Sequence, residues 1–591
     1  MSLIFNIMAF MGLSAILAIR YEKKLVETQV ITLSGIVLCL FGLAFFNKMW
    51  IIDYICAGVV FICVGYFSRR GKEFIYAGMK LFLEPSWIIS AFVILIGSAA
   101  LAGRGVQGWD EINFWAGDIK SIYTLEGYAS EGFNFSKSYG DYPPAYQLIA
   151  AWVLHLFNRY DEGLMMSAYF LAMQIYLAPL FRKVPRNILI YIGVAGWLFF
   201  IFSFGPNILY DRGPDVLMGV VYGASLMAIF DIDRKNINYY YFKVALLLSV
   251  LVIVKSIGIQ WVVFAEVFLL CIYATEKNGS KIKVGLSCGA PLGVYIIWML
   301  FCKVRSRSTY LVGDLVSSVS GDKNELIAQH GKRLAGTFVR ALFKPMQSAA
   351  WGLGVSVAVC FTAYIIIIIC YRHFKLLSLK QTNILLGFVI VGGILEYSIL
   401  LFSTITMFIG EYANYEVLDN MVLLVKRYGA PYIIGTTMLL LSIFFEKLTE
   451  KRAALAWGTI IIINLLISPI QTQWKYIFSY RNIPGYVESN IREKFPDLKK
   501  ACDLIDATGE NYNQRLAIIM EIPENMSALV AEVWLKYYAA PMPVHVEIVE
   551  NIDDVNIISC IQNDTSFGIV DEEERCLTNG IETNKIYPIV Q

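Results

Sequence analysis

The polar stretch Gly103-Arg-Gly-Val-Gln-Gly-Trp-Asp-Glu-Ile-Asn-Phe-Trp-Ala-Gly-Asp-Ile-Lys120 lies between two apolar segments of the chain. It leads to Asp141-Tyr-Pro-Pro-Ala-Tyr146, where the next apolar segment begins. Acidic and aromatic side chains are thus gathered in one loop at a predicted membrane boundary. Most of the first 470 residues outside this loop are apolar. We therefore expect a helical bundle that holds the loop in place, and we expect the loop to carry the chemistry.

The composition is that of an integral membrane protein. Of the 591 residues, 57% are hydrophobic and 16% are charged, whereas soluble domains average about 25% charged residues. The formal net charge of +2 is too close to zero to indicate a nucleic-acid partner. The four histidines show no zinc-ligand spacing. Most of the cysteines lie in or beside apolar runs, where cysteine packs as a small hydrophobic residue.

The apolar runs predict a mainly α, polytopic bundle. A bilayer core needs roughly 20 apolar residues per helix. Candidate spans lie at about 2–19, 29–46, 50–67, 86–102, 161–181, 188–205, 214–231, 241–256, 258–274, 284–302, 349–370, 383–409, 429–446 and 454–470. These are about fourteen transmembrane helices.

Basic clusters mark alternate ends of these spans. They are Arg20–Lys24, Arg69-Arg70, Arg182-Lys183, Arg234-Lys235, Lys277–Lys283, Arg372–Lys375 and Lys447–Arg452. By the positive-inside rule these ends are cytoplasmic. The N-terminus, the 103–145 loop and the tail after Trp474 are then predicted to lie outside, in contact with the extracytoplasmic side of a cell membrane.

One apolar segment, Tyr142–Phe157, is too short for an ordinary span and has Pro143-Pro144 near its start. We expect a partial or re-entrant helix on the outer side, which is tolerated where protein covers the backbone. A full crossing would invert every later assignment and place Arg182-Lys183 outside.

Three further external regions are predicted, at 206–215, 303–345 and 411–431. The 303–345 region is long and basic. Its residues Arg305, Lys332 and Arg333 are candidates for phosphate binding, or they attract anionic lipid headgroups.

The chain is expected to divide into three parts. Residues 1–85 form N-terminal transmembrane helices, and residues 86–474 form a transmembrane module with the external loops. In 475–591, strand-like runs at Leu516–Met520, Val544–Ile548 and Phe567–Val570 alternate with helical spacing near 489–507 and 524–538. This alternation predicts a small C-terminal α/β domain.

Asp110 and Glu111 are the acidic residues of the first loop that could act as a base. Adjacent residues on a helix point in different directions, so only one carboxylate is expected to face a given substrate atom. Ile112, Trp115 and Ile119 recur at helical spacing, which predicts a helix lying in the interface plane. The alternative is that Asp110 caps this helix and the helix dipole favours Glu111.

The first loop resembles that of a known superfamily. Trp109-Asp110-Glu111 after an early membrane helix, Phe114-Trp115 with Lys120, and Asp141-Tyr142-Pro143-Pro144 are similar to the first external loop of GT-C glycosyltransferases. This superfamily of multi-spanning enzymes uses polyprenyl-phosphate-linked sugars and includes protein O-mannosyltransferases and aminoarabinose transferases.

Three later motifs extend the resemblance over about 86–470. Asp211–Asp215 is similar to the second external acidic site of the superfamily, and Lys255-Ser-Ile-Gly258 resembles a Lys-x-x-Gly signature. Arg427-Tyr428 before Pro431 resembles an Arg-Tyr pair near the final helices. The order of the motifs carries the resemblance more than any single one.

The resemblance implies an inverting transfer of a monosaccharide from a polyprenyl phosphate to an extracytoplasmic acceptor, a cell-envelope glycan or a protein. The phosphate of such a donor leaves without being protonated, so one carboxylate, Asp110 or Glu111, would deprotonate the acceptor hydroxyl. Asp211 or Asp215 would position substrate or a metal, and Arg427 would contact the phosphate. The other expected substrate contacts are Trp109, Lys120, Tyr142, Lys255 and Tyr428. Some members of the superfamily use a divalent cation and others use none; a cation such as Mg²⁺ or Mn²⁺, where used, would bind through Asp110, Glu111 and Asp215.

Other readings of the pattern stay open. A lipid-linked sugar flippase or transporter would share the helices, but it should show internal repeats and polar residues near the middle of the membrane. A polysaccharide polymerase or ligase would share the chemistry, and a non-catalytic scaffold would only display the tail. Glu266 and Glu396 lie within apolar runs, where a carboxylate is costly, and they are weaker functional candidates.

Overall fold

The architecture is known from a computed structural model. The structure describes residues 2–128, 140–182, 214–277, 279–307, 324–345, 356–447 and, with gaps, 482–589. Over these residues the chain is mainly helical and carries a small sheet near its C-terminal end. Long apolar helices dominate because a helix satisfies its backbone hydrogen-bonding groups internally, as a lipid environment requires.

The described helices follow the apolar runs closely. Helices α1 to α5 are Ser2–Tyr21, Leu25–Ala44, Ile52–Arg70, Lys72–Phe82 and Pro85–Leu101. In the first loop, a π-helical turn at Glu111–Ala116 leads into α6, Gly117–Leu125. Helices α7 to α11 are Ala145–Phe157, Glu162–Leu177, Asp215–Phe230, Ile237–Leu251 and Gly258–Glu276. Helices α12 to α16 are Lys281–Val304, Asn324–Phe343, Val357–His373, Leu379–Thr406 and Leu418–Lys447.

Eight of the described helical stretches are long and apolar enough to cross a bilayer. A ninth results if α4 and α5, which meet at a bend of 51°, act as one span. Helices α7, α9, α10 and α14 are apolar but shorter. The predicted spans at 188–205 and 454–470 lie outside the described residues. The described residues thus contain eight or nine candidate membrane spans, and the count of fourteen stays a prediction.

Ion pairs between distant helix ends define one face of the bundle, which we name the basic face. Arg182 lies 2.7 Å from Asp231 and also pairs with Glu27 and Glu446. Further pairs on this face are Lys23 with Asp233, Lys24 with Glu84, Arg234 with Glu276 and Lys235 with Glu22. Three of the clusters that the positive-inside rule assigns to the cytoplasm therefore lie together.

The other end of the bundle, which we name the loop face, gathers the N-terminus, the α2–α3 turn and the first loop. Asp53, at the start of α3, accepts a hydrogen bond from Asn6 (2.7 Å) and pairs with His155 near the end of α7 (2.9 Å). The backbone amide of Tyr128 donates to the carbonyl of Ala44 (3.1 Å). These contacts agree with the predicted grouping of the N-terminus with the first loop.

Helix α7 starts and ends on the side of the loop face. Its first residue, Ala145, donates a backbone hydrogen bond to Ile253 (2.9 Å), and its end carries His155. Helix α8 then begins at Glu162, beside the first loop, and leads to Arg182 on the basic face. This geometry agrees with the re-entrant helix expected for Tyr142–Phe157.

Helices α9 and α16 approach closely because glycines occupy their contact. A Cβ at Gly219 would come within 3.1 Å of the Cα of Pro431, and one at Gly223 within 2.5 Å of the sulfur of Met438. On α16, a Cβ added at Gly435 would likewise come too close to the ring of Tyr222. Small residues four apart permit such contacts between membrane helices. This packing holds the first half of α9 against the middle of α16.

Two regions predicted as external loops are helical in the structure, so that prediction was wrong in part. Helix α13 lies within 303–345, and its residues Leu334 and Phe338 are buried in a cluster with residues of α15 and α16. From Leu418 onward the 411–431 region belongs to α16. Charged residues interrupt the apolar pattern there, but the helix continues through them.

The C-terminal domain has the predicted α/β character. Strands β1 to β4 are Leu516–Glu521, Val544–Val549, Ser566–Val570 and Ile586–Pro588, and helices α17 and α18 are Pro496–Ala507 and Ala528–Ala539. The sheet order is β2-β1-β3-β4. Ile518 of β1 stands in register with Val546 of β2 and Gly568 of β3 in parallel pairing, and β4 is antiparallel to β3.

The C-terminal domain docks on the loop face through α18. The hydroxyl of Tyr537 donates to the carboxylate of Glu162 and lies 3.1 Å from the hydroxyl of Tyr160. Glu162 also accepts the backbone amide of Val106 (2.6 Å). One carboxylate therefore joins the domain to the first loop.

Lys120 forms a second link between the loop and the domain. Its ammonium group donates to the carbonyl of Tyr538 (2.7 Å) and lies 5.9 Å from each of the rings of Tyr160, Tyr537 and Tyr538. The backbone amide of Gly105 donates to Ile483 (2.6 Å). These contacts of the C-terminal domain thus hold the first loop in place.

Residues on the two faces should be accessible from opposite sides of the membrane, because the apolar helices separate them. We expect a membrane-impermeant thiol reagent to label E22C and K585C variants from opposite sides of sealed vesicles, in a background without the native cysteines. Labelling of both variants from the same side would contradict the arrangement of the faces.

Removal of the Tyr537 hydroxyl should loosen the first loop. A hydrogen bond to a charged group contributes about 1.5–3 kcal/mol, so Y537F should lower the protection of the 105–111 amides from hydrogen exchange about tenfold or more. Tyr54, which is 80% exposed on α3, provides the matched control Y54F. Equal protection in both variants would show that Tyr537 does not hold the loop.

Candidate functional site

A cavity of about 430 Å³ opens between the first loop and the helices α11, α15 and α16. Its lining includes Trp109, Asp110, Tyr142, Lys255, Arg427 and Tyr428, six of the residues predicted as substrate or catalytic contacts. These positions are up to 319 residues apart in the chain (428 − 109). The fold therefore brings these six predicted residues together at one cavity.

Two carboxylates and two cations form an ion-pair network at this cavity. A guanidinium nitrogen of Arg427 lies 2.7 Å from the Asp110 carboxylate, and its Nε lies 3.4 Å from Asp215. Lys255 lies 2.6 Å from the second oxygen of Asp215. Asp215 and Lys255 are buried, whereas Asp110 and Arg427 are about one-third exposed. The outer pair can therefore reach a ligand, while the inner pair is fixed.

The chain positions the network through short local devices. Asp215 is the first residue of α9. Lys255 lies in the turn between α10 and α11, where its carbonyl accepts the backbone amide of Gly258 (2.7 Å). A Cβ at Gly258 would come within 2.5 Å of the Leu251 carbonyl oxygen. The glycine of the Lys-x-x-Gly motif is thus needed for the close approach that sets Lys255.

Asp110 and Glu111 point to different surroundings, as expected for adjacent residues. Asp110 lines the cavity and pairs with Arg427. Glu111 is 3% exposed and accepts the backbone amides of Gln107 (3.2 Å) and Gly108 (3.0 Å). Glu111 is absent from the cavity lining. Its carboxylate holds the loop in shape, and only Asp110 faces the cavity.

The rest of the cavity is largely aromatic and aliphatic. The ring of Tyr142 lies 4.6 Å from that of Trp115 and 6.1 Å from that of Phe114. Tyr428 lies under both cations, 5.1 Å from Lys255 and 5.7 Å from Arg427. Helix α15 contributes Ile399, Leu400 and Ser403, with Met407 just beyond its end. Such a wall suits an apolar chain or the face of a sugar ring beside a small charged centre.

Asp141 is a third carboxylate of the cavity lining, and it is 6% exposed. Burial raises the pKa of Asp141 to about 6, although a backbone hydrogen bond and nearby Arg307 act in the opposite direction. Arg307 donates to the carbonyl of Gly140 (3.2 Å) and so supports the same turn. Asp141 therefore changes charge near neutral pH.

Other predicted site residues lie away from the cavity. Lys120 contacts the C-terminal domain, and Arg305, Lys332 and Arg333 are exposed and do not line the cavity. Arg333 pairs with Glu416 (3.1 Å). Asp211 lies outside the described residues. The basic 303–345 region thus contributes none of its predicted phosphate contacts to this cavity among the residues that the structure describes.

The cavity also contains residues that the motifs did not indicate. Gln260 on α11 donates a hydrogen bond to Glu396 on α15, and both line the cavity. Glu411 and Tyr415 line it near the loop face. The one sequence signal for this group is a carboxylate inside an apolar run, at Glu396.

A metal site is not evident in the described part of the chain, where no three His, Cys, Asp or Glu side chains come close enough to hold an ion. Of the predicted ligands, Asp110 and Asp215 pair with Arg427, and Glu111 faces the loop backbone. The involvement of a divalent cation stays a prediction.

No protein-family model and no curated protein matches this chain.

Proposed function

We propose that this protein is an integral membrane glycosyltransferase. It moves a monosaccharide from a polyprenyl phosphate carrier to an extracytoplasmic acceptor, a cell-envelope glycan or a protein. The observation that carries the proposal is the cavity in which Asp110, Arg427 and Lys255 meet an aromatic and aliphatic wall. A lipid phosphate sugar needs those three features at once: a base, cations and an apolar surface.

The cations account for the leaving group. The departing phosphate of such a donor is stabilised by hydrogen bonds from fixed positive groups, as in other transfers that develop negative charge. Arg427 is partly exposed and can exchange one of its carboxylate partners for a phosphate. Lys255 is held by Asp215 and adds positive potential from behind.

Asp110 is the base in this proposal. When the donor phosphate takes its place beside Arg427, the Asp110 carboxylate is released next to the anomeric carbon. The acceptor hydroxyl loses its proton to Asp110 and its oxygen bonds to the anomeric carbon, while the carbon–oxygen bond to the phosphate breaks and the phosphate keeps the electron pair. Attack from the side opposite the phosphate inverts the anomeric carbon.

The proposed sidedness follows from the charges. The basic face carries Arg182, Arg234 and Lys235 and is assigned to the cytoplasm. The loop face, with the cavity, then opens to the extracytoplasmic side, where the acceptor lies.

Replacement of Asp110 by Asn should abolish most of the transfer, because the amide cannot accept the acceptor's proton. General base catalysis contributes about 10²–10⁴-fold, so D110N should lose at least a hundredfold in rate. The measurement is transfer of radiolabelled sugar from polyprenyl phosphate carriers by purified protein in lipid nanodiscs. Asp419, an exposed carboxylate at the start of α16, provides the control D419N, which should retain activity.

Two results would contradict the proposal. The first is full transfer activity in D110N. The second is a wild-type protein that moves intact lipid-linked sugar across vesicle membranes without transferring it, as a flippase would. Polymeric products would instead indicate a polymerase.

Transfer should rise with pH through about 6, since the raised pKa of Asp141 keeps this residue neutral below that value and ionised above it. An ionised Asp141 adds negative charge to the cavity wall, which strengthens the attraction of Asp110 for the acceptor's proton. In D141N the limb of the pH–rate profile near 6 should disappear. An unchanged profile would exclude Asp141 from this role.

A further inference from the structure

A carboxyl–carboxamide pair lies within the bundle and is not used in the transfer chemistry above. Glu396 is 3% exposed in the second half of the 28-residue helix α15, and its carboxylate accepts a hydrogen bond from the side chain of Gln260 on α11. A carboxyl group among apolar helices is costly, and such groups usually face a functional cavity. Both residues do line the cavity.

The pair belongs to the same cavity as the ion-pair network. On α15, Glu396, Ile399, Leu400 and Ser403 recur at intervals of three and four, so one face of the helix follows the cavity wall. Gln260 lies five residues after Lys255, one turn into α11. The wall therefore runs from the charged centre, past aliphatic side chains, to the Glu396–Gln260 pair.

More polar groups surround the pair. The hydroxyls of Tyr222 and Tyr397, and the cavity-lining Ser256 hydroxyl and Trp115 indole nitrogen, are buried without a hydrogen-bond partner among the described residues. Tyr222 and Tyr397 are close enough to Glu396 to interact with it electrostatically. Unpaired buried donors are rare in proteins. Two such groups near Glu396 and two more in the cavity lining indicate a site for a polar ligand.

The chemical groups of the Glu396–Gln260 pair limit the class of ligand that can bind there. The pair offers no positive charge to a phosphate, and an isoprenoid chain offers no hydrogen bonds. Sugar hydroxyls both donate and accept, so a neighbouring carboxyl oxygen and amide can bind two of them. A site built to bind a hydroxyl strongly rejects an analogue that lacks it, because its own buried groups are then left unpaired.

We propose that Glu396 and Gln260 form the subsite that binds the hydroxyls of the donor sugar and selects which sugar is accepted. This inference rests on the proposed transfer from a lipid phosphate sugar. In that transfer Arg427 contacts the phosphate and Lys255 adds positive potential, while the Glu396–Gln260 pair binds the sugar ring attached to the phosphate.

The test compares two ligands on the full-length protein in lipid nanodiscs: polyprenyl phosphate, and a panel of polyprenyl-phosphate-linked hexoses and pentoses. The wild type should bind at least one sugar-bearing lipid more tightly than the bare carrier. In E396Q and Q260A this preference should fall about tenfold or more, because hydrogen bonds of a buried polar group are lost. Binding of the bare carrier should stay within about twofold of wild type, since the phosphate contacts are unchanged.

Glu266 provides the matched control, because it lies on α11 with Gln260 but is absent from the cavity lining. E266Q should bind both ligands as the wild type does. Equal weakening of both ligands in E396Q and Q260A, or no change in either, would overturn the subsite while leaving the proposed transferase intact. A wild-type protein that binds neither lipid would overturn the proposed function itself.

Discussion

Asp215 is a buried carboxylate held between two cations, and the site depends on that arrangement. Its oxygens lie 2.6 Å from Lys255 and 3.4 Å from Arg427. Removal of one partner from a buried pair generally costs about 3–5 kcal/mol, because a buried charge is left uncompensated. The three residues come from the start of α9, the α10–α11 turn and α16. Their mutual attraction therefore fixes three elements around one point, and Arg427 extends the contact to Asp110 in the first loop.

Helices α9 and α16 are also held at their opposite ends, on the basic face. Asp231 follows α9 and Glu446 lies near the end of α16, and both pair with Arg182 on the basic face. Glycines at Gly219 and Gly223 let the helices pack closely between these two networks. Ion pairs thus hold α9 and α16 together at both ends, and close packing holds them together between those ends. The first loop joins this framework through the Asp110–Arg427 pair and is further held through Glu162 and the C-terminal domain.

Sequence patterns predicted much of this arrangement. Apolar runs placed the helices, short alternating runs placed three strands of the C-terminal sheet, and ordered motifs indicated Asp110, Asp215, Lys255 and Arg427 as neighbours. Patterns of period and charge fail where a helix carries several charged side chains, at its exposed surface in α13 and toward the cavity in α16. For that reason α13 and the first half of α16 were predicted as loops.

The remaining site residues depend on tertiary contacts that no local pattern shows. In the sequence, nothing marks Gln260 as a site residue. In the fold, α15 places Glu396 beside it, and the two side chains form a hydrogen bond. Lys120 and Glu111 have residue types suited to catalysis, but the first binds the C-terminal domain and the second binds the loop backbone. Residue type and spacing thus identified the region of the site, and only packing separated the residues that face the cavity from those that support it.

In the proposed transfer, Arg427 contacts the phosphate of a lipid carrier and Lys255 adds positive potential. The most direct measurement is a cryo-electron microscopy structure of the full-length protein in nanodiscs with polyprenyl phosphate bound. We expect phosphate density within about 3 Å of the Arg427 guanidinium, with the contact between Arg427 and Asp110 opened. Phosphate density elsewhere, such as beside Lys332 and Arg333 on α13, with the Arg427–Asp110 pair intact, would contradict it.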